Sequence, residues 1–260
     1  MTVQPEPMPL ALEADDAAGQ TRLLVDGHVH VHPTFNESRF LAAVFRNFSS
    51  HGTGIPVLLL AEMPDADVFR RWRGGDAPAR VTPTAEAESL WLDDRLLVVA
   101  GQQLVTAERI EVLSLLTPAR LQQDQDLETT LHCVEDAGGT AVLPWGVGKW
   151  LGRRGRIVAA SADRQRPFLG DNAGRPYGWP RPRLFQHHRV LPGTDPLKLK
   201  AAESDAGRFV FALDCPLDRA YPARSLRTAL RSMRGSPPAL GVRSGPVRFL
   251  QRQIAIRLKR

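Results

Sequence analysis

Two histidines spaced two residues apart, His28 and His30, are the side chains of this chain that are best suited to chemistry. They follow Asp26 and the apolar run Leu23-Leu24-Val25, a pattern typical of the end of a buried strand. Side chains two apart on an extended segment point to the same side, so both imidazoles are placed to bind one metal ion. The alternative interpretation is a strand end with exposed histidines. Asp26 and the preceding strand favour the ligand pair.

Composition indicates one large domain. The chain has 260 residues, of which 43% are hydrophobic, enough for a substantial core. Residues 1–20 are rich in Pro, Ala, Glu and Asp and predict a disordered or loosely docked tail.

The sequence has no run near the ~20 apolar residues of a membrane span and no secretory signal pattern, which predicts a cytoplasmic protein. Cys133 and Cys215 have no motif spacing and predict neither a disulfide scaffold nor a zinc ribbon.

The formal net charge of +6 comes from one end of the chain. Residues 219–260 contain ten Arg, one Lys and no acidic residue, so the remainder is net acidic. Because a uniformly basic nucleic-acid-binding protein would not look like this, nucleic acid is not an expected partner. Arginine spacing predicts basic helices packed on the domain, and peripheral contact with an anionic membrane or an acidic partner is the alternative. An apolar stripe supports the last helix: Val247, Leu250, Ile254 and Leu258.

Short apolar runs alternate with helical patterns beyond residue 20. One helical pattern places Phe40, Val44 and Phe48 on a single face, and another covers 127–137. This rhythm predicts an α/β fold, a TIM-like barrel of seven or eight strands, regular or distorted, over residues 21–218. The predicted strands are 23–26, 55–61, 96–100, 140–144, 167–170, 189–191 and 208–213, with 109–116 as a candidate eighth.

Nearly every predicted strand is followed by a polar or ionisable side chain. In a barrel, the residues that follow the strands gather at one mouth, where the chemistry takes place. Besides Asp26, His28 and His30, the side chains in this position are Glu62, Gln103, Trp145, Lys149, Asp171, Asn172, Asp195 and Asp214. The pattern predicts a shared site at the mouth.

The first motif resembles that of the polymerase and histidinol phosphatase (PHP) family and, more distantly, that of the amidohydrolase superfamily of metal-dependent hydrolases. Both groups open with His-x-His after the first barrel strand, as residues 26–30 do here. Residues 98–106 with the run 109–116 resemble the PHP glycine-x-glutamate strand and its partner, and 190–197 resembles the terminal glycine-serine-aspartate-x-histidine motif. The resemblance implies a metal-dependent hydrolase.

This chain departs from the PHP pattern at positions that would bind metal. Gln103 stands where the family has a glutamate, Trp145 where a histidine is expected, and Leu197 where the final histidine belongs. What remains is a set of two imidazoles and one carboxylate, which suits a single Zn, Mn or Fe ion with open positions for water. Its members are His28, His30 and Asp195. The alternative is a decayed site that no longer binds metal.

Two loops next to the predicted site carry further polar groups. Residues 144–150 place Lys149 among glycines and two tryptophans, one of them Trp145, which is a plausible floor for a ring-shaped or anionic ligand. Residues 168–176 offer a carboxylate, an amide and a guanidinium suited to bidentate binding of phosphate or carboxylate. These three groups belong to Asp171, Asn172 and Arg175. The alternative interpretation is a pair of glycine-rich turns.

The expected activity is hydrolysis by a metal-activated water. Asp171 or Glu62 would accept the water proton, while Lys149 and Arg175 would stabilise charge on a small anionic substrate. The two cations favour a phosphoester, and a carboxylated cyclic amide or lactone is the alternative. The expected substrate-binding residues are Arg175, Asn172, Trp145 and Gln103.

Two other classes of function compete with hydrolysis. A catalytically inactive barrel would use the same loops to hold a ligand or a partner, and the replacements at the PHP metal positions favour it. A membrane-peripheral protein would instead depend on the arginine-rich residues 219–260.

Overall fold

The computed structural model describes residues 19–245, 249–251 and 254. Its strands are β1 (Thr21–Val29), β2 (Ile55–Leu60), β3 (Val81–Pro83), β4 (Ser89–Leu92), β5 (Leu96–Val99), β6 (Gly101–Val105), β7 (Glu111–Leu115), β8 (Thr140–Pro144), β9 (Phe168–Asn172), β10 (Val190–Gly193), β11 (Phe209–Cys215) and β12 (Ala239–Gly241). Its helices are α1 (Glu37–Ser49), α2 (Val68–Arg73), α3 (Leu127–Asp136), α4 (Gly152–Gln165) and α5 (Pro222–Ser232), with 3₁₀ turns at Arg183–Gln186 and Lys200–Ala202. In the described part of the chain, no helix is long and apolar enough to cross a membrane.

The strands form two mixed sheets. The first has seven strands in the order β12-β11-β1-β2-β5-β4-β3, and the second has five in the order β10-β9-β8-β7-β6. The α/β class is therefore confirmed. The TIM-like barrel is not shown, because the described residues form two sheets and no closed barrel.

Short connections explain why the sheets are mixed. Three residues join β4 to β5, with Asp93 and Asp94 in the left-handed region at φ 52° and 54°. Residues 106–110 join β6 to β7, and Thr106 and Ile110 close that turn with a backbone hydrogen bond of 2.9 Å. Such short turns can join antiparallel strands only, whereas a TIM barrel needs a crossover after every strand.

The two sheets meet at two seams. At the β1–β10 seam, the Asp195 N–H donates to the His28 carbonyl over 2.8 Å. At the β2–β6 seam, the Glu62 N–H donates to the Gly101 carbonyl over 3.0 Å, and the Gln103 N–H donates to the Glu62 carbonyl over 2.8 Å. These contacts hold the sheets face to face at both edges.

Apolar side chains form three core layers. The strands β1 and β2 are buried on both faces, so each contributes to two of these layers. The core between the sheets takes Leu23 and Val25 of β1 and extends to α5. The opposite face of the seven-stranded sheet packs on α1 and α2, starting from Leu24. The outer face of the five-stranded sheet packs on α3 and α4 through residues such as Leu131 and Val158.

The helices predicted at Phe40–Phe48 and 127–137 are confirmed as α1 and α3. Each begins at a side-chain cap, since Asn36 accepts from the Arg39 N–H and Asp126 from the Thr129 N–H. The eight predicted strands are also present, as β1, β2, β5, β7, β8, β9, β10 and β11. The expected division into domains stays a prediction.

The predicted terminal segments are only partly described. Residues 1–18 of the expected tail lie outside the described residues. In the basic segment 219–260, α5 confirms a helix and its Leu226 and Leu230 enter the core between the sheets. The segment also supplies β12 to the seven-stranded sheet, which the sequence did not predict. Val247 and Leu258 of the apolar stripe lie outside the described residues.

Candidate metal centre

A bulge in β1 turns the two histidines toward the space between the sheets. The pairing of β1 with β2 shifts register between Asp26 and Val29. Before the shift, Val25 faces the core between the sheets; after it, Val29 faces the opposite core. Because side chains alternate along a strand, His28 and His30 lie on the inner side, beyond Val25.

Close approach of two backbones builds the β1–β10 seam beside them. A Cβ on Gly27 would lie 2.7 Å from the Pro192 carbonyl oxygen, and one on Gly193 would lie 2.5 Å from the His28 nitrogen. These distances admit glycine only. The seam brings Asp195, at φ 52°, to the two histidines.

The three predicted ligands converge. The Nε2 atoms of His28 and His30 are 2.9 Å apart, and Asp195 Oδ1 lies 3.6 and 3.5 Å from them respectively. A triangle of this size contains a point about 2 Å from each corner, which is the length of a zinc–nitrogen or zinc–oxygen bond. The two histidines are buried, while the Asp195 side chain is 20% exposed and opens the cluster to solvent. The donor set therefore fits one divalent ion.

The protonation states also suit a ligand set. Burial, with the adjacent His28, lowers the pKa of His30 to about 3, so this imidazole is neutral near pH 7. Burial opposes ionisation of Asp195, but His28, His30 and Lys149 together hold the pKa of its carboxyl below the usual value. Neutral imidazole and ionised carboxylate are the forms that bind metal.

Neighbouring groups orient the ligands. Asn172 donates from Nδ2 to Asp195 Oδ2 over 3.0 Å and to the Trp145 carbonyl over 2.8 Å. His32 stacks on His30 with ring centroids 5.4 Å apart, and its Nε2 lies 2.9 Å from the Pro196 carbonyl oxygen. Among the described residues His30 Nδ1 has no hydrogen-bond partner, and the imidazole is held by the contact of its Nε2 with His28 and by the stacked His32 ring.

Asp26 holds the cluster from behind. Its fully buried carboxylate accepts hydrogen bonds from Thr194 N (2.7 Å), Thr194 Oγ1 (2.5 Å), Gly207 N (2.8 Å) and His28 N (3.3 Å). Thr194 directly precedes Asp195, so one side chain ties together the backbones of two ligands. Burial raises the pKa of Asp26 to about 6.

Lys149 lies near the cluster, as expected, but with a partner that the sequence did not indicate. Its ammonium forms an ion pair with Glu111. Glu111 pairs with the end of β6 at Val105, and it shares the inner face of β7 with Leu113 and Leu115. The Lys149–Glu111 pair therefore lies at the mouth of the space between the sheets.

Asp171 and Arg175 bind each other instead of facing the cluster. Arg175 Nε and Nη2 each donate to Asp171 over 2.8 Å, and both side chains are buried. Arg243 Nη2 adds a third bond to Asp171 at 2.6 Å. Because Asn172 faces Asp195, the alternation of β9 places Asp171 on the opposite face. In this arrangement neither group is available for the role expected from the sequence.

The three remaining predicted residues occupy different environments. Glu62 accepts from the Phe69 N–H over 2.7 Å and from Arg120 over 2.5 Å, and burial raises the pKa of its carboxyl. It lines a cavity of about 750 Å³ whose described lining includes none of the three cluster residues. Trp145 packs in the outer core of the five-stranded sheet. Gln103 pairs with Leu113 and faces inward, so it is the one of the three that the fold directs toward the cluster side.

Sequence reasoning did not assign roles to Glu111, Asp26 or His32. Glu111 lies within the candidate strand 109–116 and is its one acidic residue, so alternation within that run was an available signal. The positions of Asp26 and His32 within the motif were visible. Their partners at Thr194, Gly207 and Pro196 depend on the fold and could not be read from the sequence.

No family model and no curated protein sequence matches this chain. Solved structures do share its fold. PsfC from Pseudomonas syringae PB-5123 superposes with a TM-score of 0.60 at 15% identity, over 92% of this chain and 100% of PsfC. The lesion-specific endonuclease PfuEndoQ from Pyrococcus furiosus gives 0.52 at 9% identity, over 83% of this chain and 57% of the endonuclease. PHP membership stays a prediction.

A third structure bears on the expected partners. It is a complex of endonuclease Q with a 27-mer duplex substrate that has an abasic lesion at the active site, with a TM-score of 0.51 at 8% identity over 83% of this chain and 57% of the endonuclease. Because a protein of this fold binds DNA, the prediction that nucleic acid is not a partner is wrong. That prediction summed charge over long segments, and such sums do not report the charge of a local surface.

Proposed function

We propose that this protein is a metal-dependent phosphoester hydrolase whose active centre is the cluster of His28, His30 and Asp195. The observation that supports this most strongly is the convergence of two imidazole nitrogens and one carboxylate oxygen within 3.6 Å of one another. The partial exposure of Asp195 leaves one side of the cluster open. Three protein ligands with an open side are the arrangement of catalytic rather than structural zinc sites.

The cluster is suited to hold one divalent ion. When bound, such an ion supplies Lewis acidity and a water whose pKa is lowered toward neutrality. Asn172 fixes the orientation of the Asp195 carboxylate, and Asp26 fixes the backbone on which Asp195 and His28 stand. Bonds of this kind behind the ligands strengthen metal binding.

Lys149 and Glu111 supply the remaining chemistry in this proposal. The Lys149 ammonium is half exposed and close enough to Asp195 to affect its ionisation, so it can neutralise charge on a phosphoester. The Glu111 carboxylate faces inward at the same mouth and accepts the proton of the attacking water. It takes the role that the sequence offered to Asp171 or Glu62, because Asp171 lies on the opposite face of β9 and Glu62 lines a separate cavity.

Metal content and hydrolysis test the proposal together. We expect protein purified without a tag or chelator to contain about one metal per chain by elemental mass spectrometry, as the three-ligand set provides. It should hydrolyse p-nitrophenyl phosphate or bis(p-nitrophenyl) phosphate. A His28→Ala/His30→Ala variant should lose both metal and activity, and Glu111→Gln should keep the metal while kcat falls about 100-fold.

His132→Ala is the matched control, since His132 is exposed on α3 and lies outside the cluster. It should retain metal and activity. Folded wild-type protein that binds neither Zn nor Mn would contradict the proposal and favour a ligand-binding or scaffold protein. Metal binding without hydrolysis of either phosphoester would contradict the substrate class.

A further inference from the structure

Two loops border the mouth at which the cluster lies. One covers residues 145–156, from the end of β8 into the first turn of α4, and the other covers 173–183, after β9. We call them together the aromatic–basic rim. The amide of Asn172 bonds both Asp195 and the Trp145 carbonyl, so both loops leave the sheet directly beside the cluster.

The two loops support one another. Trp150 packs edge-on against Phe185, just beyond the second loop, with ring centroids 5.8 Å apart. Within the second loop, Arg175 Nη1 donates to the Trp179 carbonyl over 3.1 Å. In the first, Arg154 Nη2 donates to the Gly148 carbonyl over 3.0 Å. The first loop therefore packs against the residue that follows the second, and a side chain to backbone hydrogen bond holds each loop internally.

The rim is strongly basic. Its residues 145–156 and 173–183 contain seven Lys or Arg and no Asp or Glu. Arg153, Arg156 and Arg183 are exposed, and within the described residues they form no ion pair. Positive charge without a carboxylate partner attracts an anion from outside the molecule.

The rim also exposes aromatic rings and other large apolar side chains. Tyr177 is 80% exposed and Trp179 is 46% exposed, next to Leu151 at 71% and Val147 at 40%. Single exposed apolar residues are ordinary, but several in two adjacent loops indicate a binding surface. Aromatic faces interleaved with arginines match the bases and phosphates of an unpaired nucleic-acid strand.

We propose that the aromatic–basic rim binds single-stranded or locally unpaired nucleic acid. Bases stack on Tyr177 and Trp179, and phosphates bind the exposed arginines. This proposal names the substrate class of the proposed hydrolase and rests on that function for its catalytic part. A nucleic-acid strand bound to the rim presents its phosphodiesters to the adjacent cluster. A membrane surface fits less well, since the apolar side chains stand on loops and not along one face of an amphipathic helix.

Fluorescence anisotropy with a labelled oligothymidylate about 15 nucleotides long tests the proposal. We expect the full-length protein to bind it more tightly than the matched duplex. Tyr177→Ala/Trp179→Ala should weaken binding about 10-fold or more, because stacking of one base is worth about 1–3 kcal/mol. Arg153→Gln/Arg156→Gln should lower the slope of log affinity against log salt by about 1.4, for two lost phosphate contacts.

The matched control is Arg39→Gln/Arg46→Gln, which removes two exposed arginines from α1 on the opposite side of the seven-stranded sheet. It should leave affinity unchanged. The proposal is overturned if wild-type protein does not bind the oligonucleotide, or if neither rim variant weakens binding. It is also overturned if phosphatidylserine vesicles bind in place of the oligonucleotide and the rim variants abolish that binding.

Measuring the His28→Ala/His30→Ala variant separates this proposal from the proposed function. It should bind the oligonucleotide with wild-type affinity, because the rim residues are intact. Binding with no hydrolysis by wild-type protein would contradict the proposed function alone. Hydrolysis of small phosphoesters with no oligonucleotide binding would contradict the rim alone.

Discussion

The two seams between the sheets both bury a carboxylate where two backbones approach closely, but they stabilise it in different ways. Each buries a carboxylate beside a glycine that a neighbouring backbone approaches closely: Asp26 near Gly193 at the β1–β10 seam, and Glu62 near Gly101 at the β2–β6 seam. Asp26 accepts from backbone N–H groups and a hydroxyl only, whereas Glu62 also binds the charged Arg120. The first seam is packed; the second borders a cavity of about 750 Å³.

The difference shows that the β1–β10 seam holds its backbone rigidly, whereas the β2–β6 seam is open to solvent. Four hydrogen bonds to Asp26 fix the backbones of His28 and of the residue before Asp195, as a metal site would require. An ion pair reaching solvent, such as that of Glu62 with the half-exposed Arg120, stabilises less and can rearrange. The three cluster residues are accordingly found at the seam whose carboxylate has no charged partner among the described residues.

Adding one methyl group to each seam gives the largest expected contrast. Gly193→Ala places a Cβ 2.5 Å from the His28 nitrogen, so we expect it to lower the free energy of unfolding by about 3 kcal/mol and to abolish metal binding. Gly101→Ala meets the Leu60 carbonyl equally closely and should destabilise comparably. It should retain the metal. Urea unfolding and elemental mass spectrometry measure both; equal metal loss in the two variants would remove the contrast.

Replacing each buried carboxylate by its amide should have a smaller effect. Asp26→Asn removes one acceptor oxygen from donors that remain buried, which we expect to cost about 2 kcal/mol of stability and 10- to 100-fold in zinc affinity. Glu62→Gln should cost about 1 kcal/mol and leave zinc affinity unchanged. Competition with a chromophoric chelator measures the affinity. Wild-type zinc affinity in a folded Asp26→Asn protein would show that Asp26 does not position the ligands.

The smallest expected effect concerns pH at the β2–β6 seam. Burial raises the pKa of the Glu62 carboxyl above 4.5, so the folded protein is less stable with this carboxyl ionised than with it protonated. This loss of stability is present at neutral pH and disappears below the pKa of the unfolded chain. The stability of wild-type protein relative to Glu62→Gln should therefore increase as pH falls from 7 toward about 4.5. Chemical denaturation at a series of pH values tests this. A difference independent of pH would mean that Arg120 offsets the burial of the carboxylate.

Much of the secondary structure was predictable because it depends on local pattern. Apolar runs located β2, β5, β8 and β11, and a single apolar face located α1. Four strands were missed: β6, and the short strands β3, β4 and β12, whose three or four residues give no clear periodicity. The chain also changes sheets at Ala100, between β5 and β6, where no breaker residue other than Gly101 marks the transition.

The site was predictable only in part. The spacing of His28 and His30 identifies them without a fold, and Asp195 was found from its position after a predicted strand and through a motif resemblance. The sequence placed Asp171 and Arg175 beside the cluster because both follow a strand. The position of a residue after a strand does not reveal its partner, and these two residues, four apart, form an ion pair with one another. Glu111 was overlooked because two features of the fold give it a role: its ion pair with Lys149, and the antiparallel direction of β7, which places the start of this strand at the mouth.

The sequence by itself determined the α/β class, most of the strands and the histidine pair, because alternation and apolar clustering are local properties of the chain. Only the tertiary structure decided that the strands form two sheets joined at two seams, that a bulge turns the histidines inward, and that Asp195 reaches them across the β1–β10 seam. Those outcomes depend on which backbones can approach each other and on which buried charges find partners. Both are properties of distant segments brought together, and no local pattern encodes them.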